Sequence, residues 1–146
     1  MKVYLRVYKL KLMISPFVDM LQRTVCEWNH CSIVVDDIVI HFFDPDICPR
    51  WTTTSADHRL YREYKDIFVG EVDDITALRE FTNKLPKMSN YDLLAHHLWY
   101  WTFGLWPKRY DCVDKCSRTF THLFEIPRCT STPDNLIKKI YAGNSS

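Results

Sequence analysis

An α+β domain, with a small antiparallel sheet and packed helices, is the fold class this sequence predicts, and three observations predict it. Two β-rich runs, Cys31–Val35 and Ile38–Phe43, stand on either side of a tight Asp36-Asp37 turn, the signature of a β-hairpin. Residues 2–9 interleave charged with β-branched and aromatic side chains, as a strand does. Later stretches change to helical spacing and are opened by capping residues. Hydrophobic residues make up 47% of the chain and aromatics 14%, enough for a packed core and too apolar for disorder. At 146 residues a single domain spanning 1–146 is expected, able to bury roughly two-thirds of its unfolded surface.

Taken in order, residues 2–9 read as an edge strand, without the apolar core of a signal peptide. Ser15 and Pro16 suit an N-cap and first helical position, and Phe17, Met20, Leu21, Thr24 and Val25 give helical spacing over 16–27. The hairpin follows at 29–43. Side chains alternate along a strand, so His30, Ser32 and Val34 share one face, while Val39 and His41 share a face of the return strand. Across a short hairpin His30 and His41 become neighbours. Asp44-Pro45-Asp46 and Cys48-Pro49 end the hairpin.

Residues 49–60 are polar and patternless and read as a surface loop, with Trp51 either a substrate-facing lid residue or tucked under the loop. Residues 61–72 alternate as a further strand, with Tyr64, Ile67, Phe68 and Val69 as its apolar content. Asp73 and Asp74 can cap a helix through about Leu85, with Ile75, Leu78 and Phe81 as its buried stripe, and Pro86 stops it. Ser89 or Asn90 opens a helix over Tyr91–Phe103 that contains His96 and His97. Asp111 begins another, running to about Phe124. Thr132-Pro133-Asp134 caps a last helix, Asn135–Tyr141, and a frayed tail begins at Gly143. The sheet is expected from the N-terminal strand, the hairpin and the 61–72 strand.

Charge excludes several classes. With 19 basic and 18 acidic residues the net charge is +1, so nothing steers the chain to nucleic acid or an acidic membrane. Three glycines rule out a glycine-rich phosphate loop. No run approaches the ~20 apolar residues of a membrane span. Six cysteines without a secretion signal read as reduced thiols, which places the chain in the cytoplasm. No cofactor is expected, and the oligomeric state is open.

The chemistry centres on Cys112. A cysteine becomes a nucleophile when its thiolate is stabilised, and a helix N-terminus and a nearby histidine both do that. Cys112 falls in the first turn of the predicted helix, where its own backbone N–H can also serve an oxyanion. Cys116 lies one turn inside and loses both advantages. A Cys at a helix start with a His on a strand pairs a nucleophile with a general base.

The order of these residues, His30-Cys-Ser-Ile-Val-Val-Asp-Asp-Ile-Val-Ile-His41-Phe-Phe-Asp-Pro and then Tyr110-Asp-Cys112, resembles the circularly permuted papain-like (NlpC-related) group. That group includes the lecithin:retinol acyltransferase-like proteins and the YiiX-like and poxviral hydrolases. Tyr91-Asp-Leu-Leu-Ala and Thr132-Pro-Asp-Asn-Leu resemble the YiiX-like pattern too, so the likeness spans about residues 28–140. It implies a permuted papain-like fold with Cys112 as nucleophile, His30 as base and His41 orienting His30. Tyr110 is a candidate for the oxyanion pocket. The reaction implied is acyl transfer through a thioester: to water in an amidase, peptidase or esterase, or to another acceptor in an acyltransferase. The substrate would be an acyl, amide or peptide group. A virus or bacteriophage is a source the resemblance suggests.

Two departures favour another class, a binding or inhibitory module that keeps the fold without turnover. Asp111 stands where the acyltransferase-like members carry Asn, and a carboxylate there raises the thiol pKa. The hairpin turn lacks glycine and is one residue shorter, which can move His41. A third reading is a zinc-stabilised domain using Cys112, Cys116, His122 and Cys129, or Cys26, His30 and Cys31; two cysteines on a regular helix suit zinc poorly. Cys26, Cys31, Cys48, Cys116 and Cys129 otherwise read as small core residues. Trp99, Trp101, Phe103 and Trp106 are either core or the lining of an apolar acyl pocket.

Overall fold

The computed structural model describes residues 1–9, 27–42, 49–86, 94, 98, 101–102 and 111–145. Among the described residues five strands form one antiparallel sheet: β1 (Lys2–Tyr8), β2 (His30–Val35), β3 (Ile38–His41), β4 (Arg50–Thr53) and β5 (Tyr64–Glu71), in the order β4-β3-β2-β1-β5. With α1 (Thr54–Leu60), α2 (Ile75–Lys84), α3 (Asp111–Phe124) and α4 (Pro133–Asn144), the domain is α+β as expected. None of the described helices is long and apolar enough to cross a membrane.

Alternation divides the sheet into two faces. Val3, Leu5 and Val7 of β1, Cys31, Ile33 and Val35 of β2 and Ile40 of β3 point into the core, where Val113, Cys116 and Phe120 of α3 meet them. The i, i+4 spacing of Cys112, Cys116 and Phe120 puts these side chains on one stripe of α3. Leu78 of α2 and Leu136 and Ile140 of α4 complete the layer. At Gly70 of β5 a β-carbon would stand 2.6 Å from Cε1 of Phe124, so glycine is what lets α3 lie this close to the sheet. Lys115, buried on α3, donates to the carbonyl of Pro86 and ties α3 to the chain just beyond α2.

Several expectations change. The N-terminal strand is not an edge: β2 and β5 both pair with it, and its Arg6, which marks it as an edge in the sequence, is buried. Residues 49–60 are not a loop but the edge strand β4 and the short helix α1. Threonine-rich β4 pairs with β3, and Thr53 caps α1 by accepting from the Ala56 N–H at 3.3 Å. The chain's end does not fray at Gly143; α4 runs to Asn144, and the Ser145 N–H bonds back to Tyr141.

The hairpin stands as read, with Val35 opposite Ile38 and Asp36 in the left-handed region at φ 49°. The α2 cap is Asp74, and Thr132 caps α4 with Pro133 in its first turn. The predicted helix over 16–27 lies outside the described residues except for Glu27, which is not helical, and Cys26, Cys48, Tyr110 and the pair His96-His97 lie outside them too. Of Tyr91–Phe103, Leu94, Leu98 and Trp101 are helical, and Trp101 is 81% exposed, so it is not core.

Candidate active site

The two histidines meet at one end of the sheet. His30 opens β2 opposite Tyr8, the last residue of β1, and His41 ends β3. Both rings are buried on the face away from the core layer, nearly parallel at 11°, with His30 Nε2 3.2 Å from His41 Nδ1. The short turn therefore does not displace His41. Its two-residue geometry keeps the strands in register from Val35 opposite Ile38 to Ile33 opposite Ile40, the residue before His41.

Beyond His41 stands a residue that the sequence did not single out. Asp57, in the middle of α1, is wholly buried, and its Oδ1 lies 2.7 Å from His41 Nε2. Its Oδ2 accepts from Arg6 Nη1 at 3.0 Å and from the Tyr8 hydroxyl at 2.9 Å. Arg6 is held in turn by a two-pronged bond to Asp66 of β5, at 2.7 and 2.8 Å, and lies 4.0 Å from the centre of the Tyr64 ring. The Tyr8 proton is committed to the carboxylate, so the Ser32 hydroxyl, 2.8 Å away, donates to the Tyr8 oxygen. Asp37 in the hairpin turn fixes the start of α1: its carbonyl accepts the Thr54 N–H at 3.0 Å, and its carboxylate accepts the Thr54 hydroxyl.

Asp57 escaped the sequence reading because nothing local announces its burial. Thr-Thr-Thr-Ser-Ala-Asp-His-Arg has no apolar periodicity, and the partner that makes a buried carboxylate tolerable, Arg6, is 51 residues away. A threonine followed three residues later by Asp was the available signal, but no apolar run follows it.

Burial works against ionisation of Asp57, yet bonds from His41, Arg6 and Tyr8 outweigh it and hold its carboxyl below the ordinary carboxylate range. Burial also pushes the Tyr8 phenol far up, so it stays a donor. Cys112 lies where the sequence put it, in the first turn of α3, and its side chain meets both Cys31 and His30. The expected thiolate is not what this environment favours. The hydrogen bond with Cys31 and burial push the Cys112 thiol well above its ordinary value, and nearby His30 pulls it down less strongly. Cys31 is itself pushed up by burial, and its Sγ is 3.8 Å from that of Cys116.

Trp51 lies opposite Ile40 on β4, on the face away from His41, packed on the core with the Arg79 guanidinium 5.0 Å from its ring centre. It is neither a loop residue nor beside the histidines. Of the first zinc set, His122 stacks on Phe81 at 4.2 Å and Cys129 bonds the Ser131 hydroxyl; the second set includes Cys26, which lies outside the described residues. Among the described residues no cluster of three metal-competent side chains forms. Compared with family models, curated proteins and solved structures, the chain matches none.

Proposed function

We propose that this chain is a cysteine-dependent hydrolase of amide, peptide or ester bonds, built as a circularly permuted papain-like domain. One observation carries the reading: Cys112, His30, His41 and Asp57 form an unbroken line of neighbouring polar groups ending on an ionised carboxylate. In the resting enzyme the thiol keeps its proton. When an acyl carbonyl is in place, His30 removes that proton as sulfur attacks, and Asp57 faces the positive charge that develops on the imidazoles. The first-turn N–H groups of α3 face the oxyanion. His30 then protonates the leaving group as the thioester forms, and water releases the acyl group with His30 again as base. An acceptor other than water would make the protein an acyltransferase by the same steps. Reduced thiols suit a cytoplasmic setting, a virus-infected host cell included; the described cysteines are free.

A second reading, a module that binds without turnover, is favoured by the burial of Cys112 and by its raised pKa. An activated ester separates the two. Incubation with p-nitrophenyl acetate is expected to leave one acetyl group on Cys112, detected by peptide mass, and none in His30→Ala or Cys112→Ala. A folded wild-type protein whose Cys112 stays unacylated would sink the enzyme reading and leave the module.

A further inference from the structure

The roles of the ring nitrogens in this line follow from its far end. Asp57 is ionised and can only accept, so the nitrogen 2.7 Å from it, His41 Nε2, carries a proton. A neutral imidazole has one N–H, so His41 Nδ1 is an acceptor, and His30 Nε2, 3.2 Å away, must donate to it. That leaves the lone pair of His30 on Nδ1. We propose that Asp57 is the positioning residue that sets the tautomer of His30 through His41, making His30 Nδ1 the atom that takes the Cys112 proton. The proposal deepens the thiol-hydrolase reading and rests on it for its kinetic consequence alone.

Replacing Asp57 by its isostere tests this sharply. In Asp57→Asn the amide cannot place itself at random. Arg6 only donates, so the amide oxygen must stay at the Oδ2 position, facing Arg6 and Tyr8. The amide NH2 then takes the Oδ1 place and donates to His41 Nε2. His41 must shift its proton to Nδ1, donate to His30 Nε2, and force the His30 proton onto Nδ1. Shape is kept, and the base is gone.

The measurement is long-range nitrogen–proton correlation NMR on histidine-labelled full-length protein at about pH 8, where imidazole is ordinarily neutral. Wild type should give the Nε2–H pattern for both His30 and His41, and Asp57→Asn the Nδ1–H pattern for both. His41→Phe in a Cys112→Ala chain, which leaves the Arg6–Asp57 pair intact and removes the thiol as a competing donor to His30, should let the Nδ1–H form of His30 appear beside Nε2–H and covers the case in which Asp57→Asn fails to fold. A His30 that keeps Nε2–H in Asp57→Asn, or Nε2–H alone in the His41→Phe, Cys112→Ala chain, overturns the proposal. So does a wild-type His30 with its proton on Nδ1.

Acylation of Cys112 by p-nitrophenyl acetate is read on the same samples. With the relay as assigned, Asp57→Asn should slow it by about 100-fold or more, close to the loss in His30→Ala. Tautomers that flip in a protein whose wild type is never acylated uphold the positioning role and remove the hydrolase, so the two failures are told apart.

Discussion

On one face of β2, Cys31 points into an apolar layer beside Cys112 and Cys116; on the other, its neighbours His30 and Ser32 point into a network closed by Arg6, Tyr8 and Asp57. One step along a strand separates an environment that keeps protons on sulfur from one that keeps charge on a carboxylate. The difference is not one of burial, since Cys31, Tyr8 and Asp57 are all inaccessible. It lies in what each group finds as a partner. The thiols meet methyl groups and other thiols, whereas Asp57 meets a guanidinium, a phenol and an imidazole. Cys112 stands at the seam, bonded to a thiol of one face and touching a histidine of the other.

The comparison breaks hardest where a charge is left alone. Asp57→Ala removes one carboxylate from a buried guanidinium that keeps only Asp66, and should cost about 3–5 kcal/mol in urea unfolding. A loss below about 1 kcal/mol, the value typical of an exposed pair, would mean that water reaches Arg6 and that the network is not a sealed one. On the apolar face the corresponding weak point is steric. Gly70→Ala drives a methyl group into the Phe124 ring and should cost about 1–3 kcal/mol, restored in part by Phe124→Leu in the same chain. If the double variant is no more stable than Gly70→Ala alone, the close approach of α3 to β5 is not the reason for glycine.

How much of this was legible in the sequence follows the same division. The apolar face is marked by periodicity that the sequence displays. Val3, Leu5 and Val7, the hairpin alternation and the Cys112, Cys116, Phe120 stripe each show their burial locally, and α3 begins and ends within the predicted bounds. The pairing of His30 with His41 was legible too, because strand alternation and a two-residue turn determine it. The polar face was not. Arg6 in β1 looked like solvent-facing alternation, and Asp57 looked like loop, because the partners that make each burial tolerable lie far away in the chain. Placing β1 at an edge was the same error. A charged residue on a strand marks an edge unless a distant partner neutralises it, and that partner has no local signature.

The two faces should also fail at opposite ends of the pH scale. On the acid side, the Asp57 carboxyl is held down in the folded chain. Between its folded value and the unfolded value of about 3.9 the unfolded chain therefore binds more protons, and stability falls as pH drops through that window. On the alkaline side, the Cys31 and Cys112 thiols are held up. Above the ordinary thiol value of about 8.5 the unfolded chain sheds protons that the folded chain keeps, and stability falls as pH rises. Tyr8 extends that decline above about 10. Urea midpoints measured across pH should show both limbs, and Asp57→Asn should flatten the acid limb while leaving the alkaline one.

The smallest effect on stability is the most informative about the seam. Cys31→Ala deletes one sulfur from the core, at a cost of about 1 kcal/mol. It also removes the group that most raises the Cys112 thiol, leaving burial opposed by His30. Alkylation of Cys112 by iodoacetamide should then begin at lower pH than in wild type, and adding His30→Ala should reverse much of the gain. Both variants must be compared at equal folded fraction, since unfolding exposes any thiol. An unchanged alkylation profile in Cys31→Ala would place the control of Cys112 in burial alone, and the apolar face would then act on the nucleophile as a dry wall rather than through a particular neighbour.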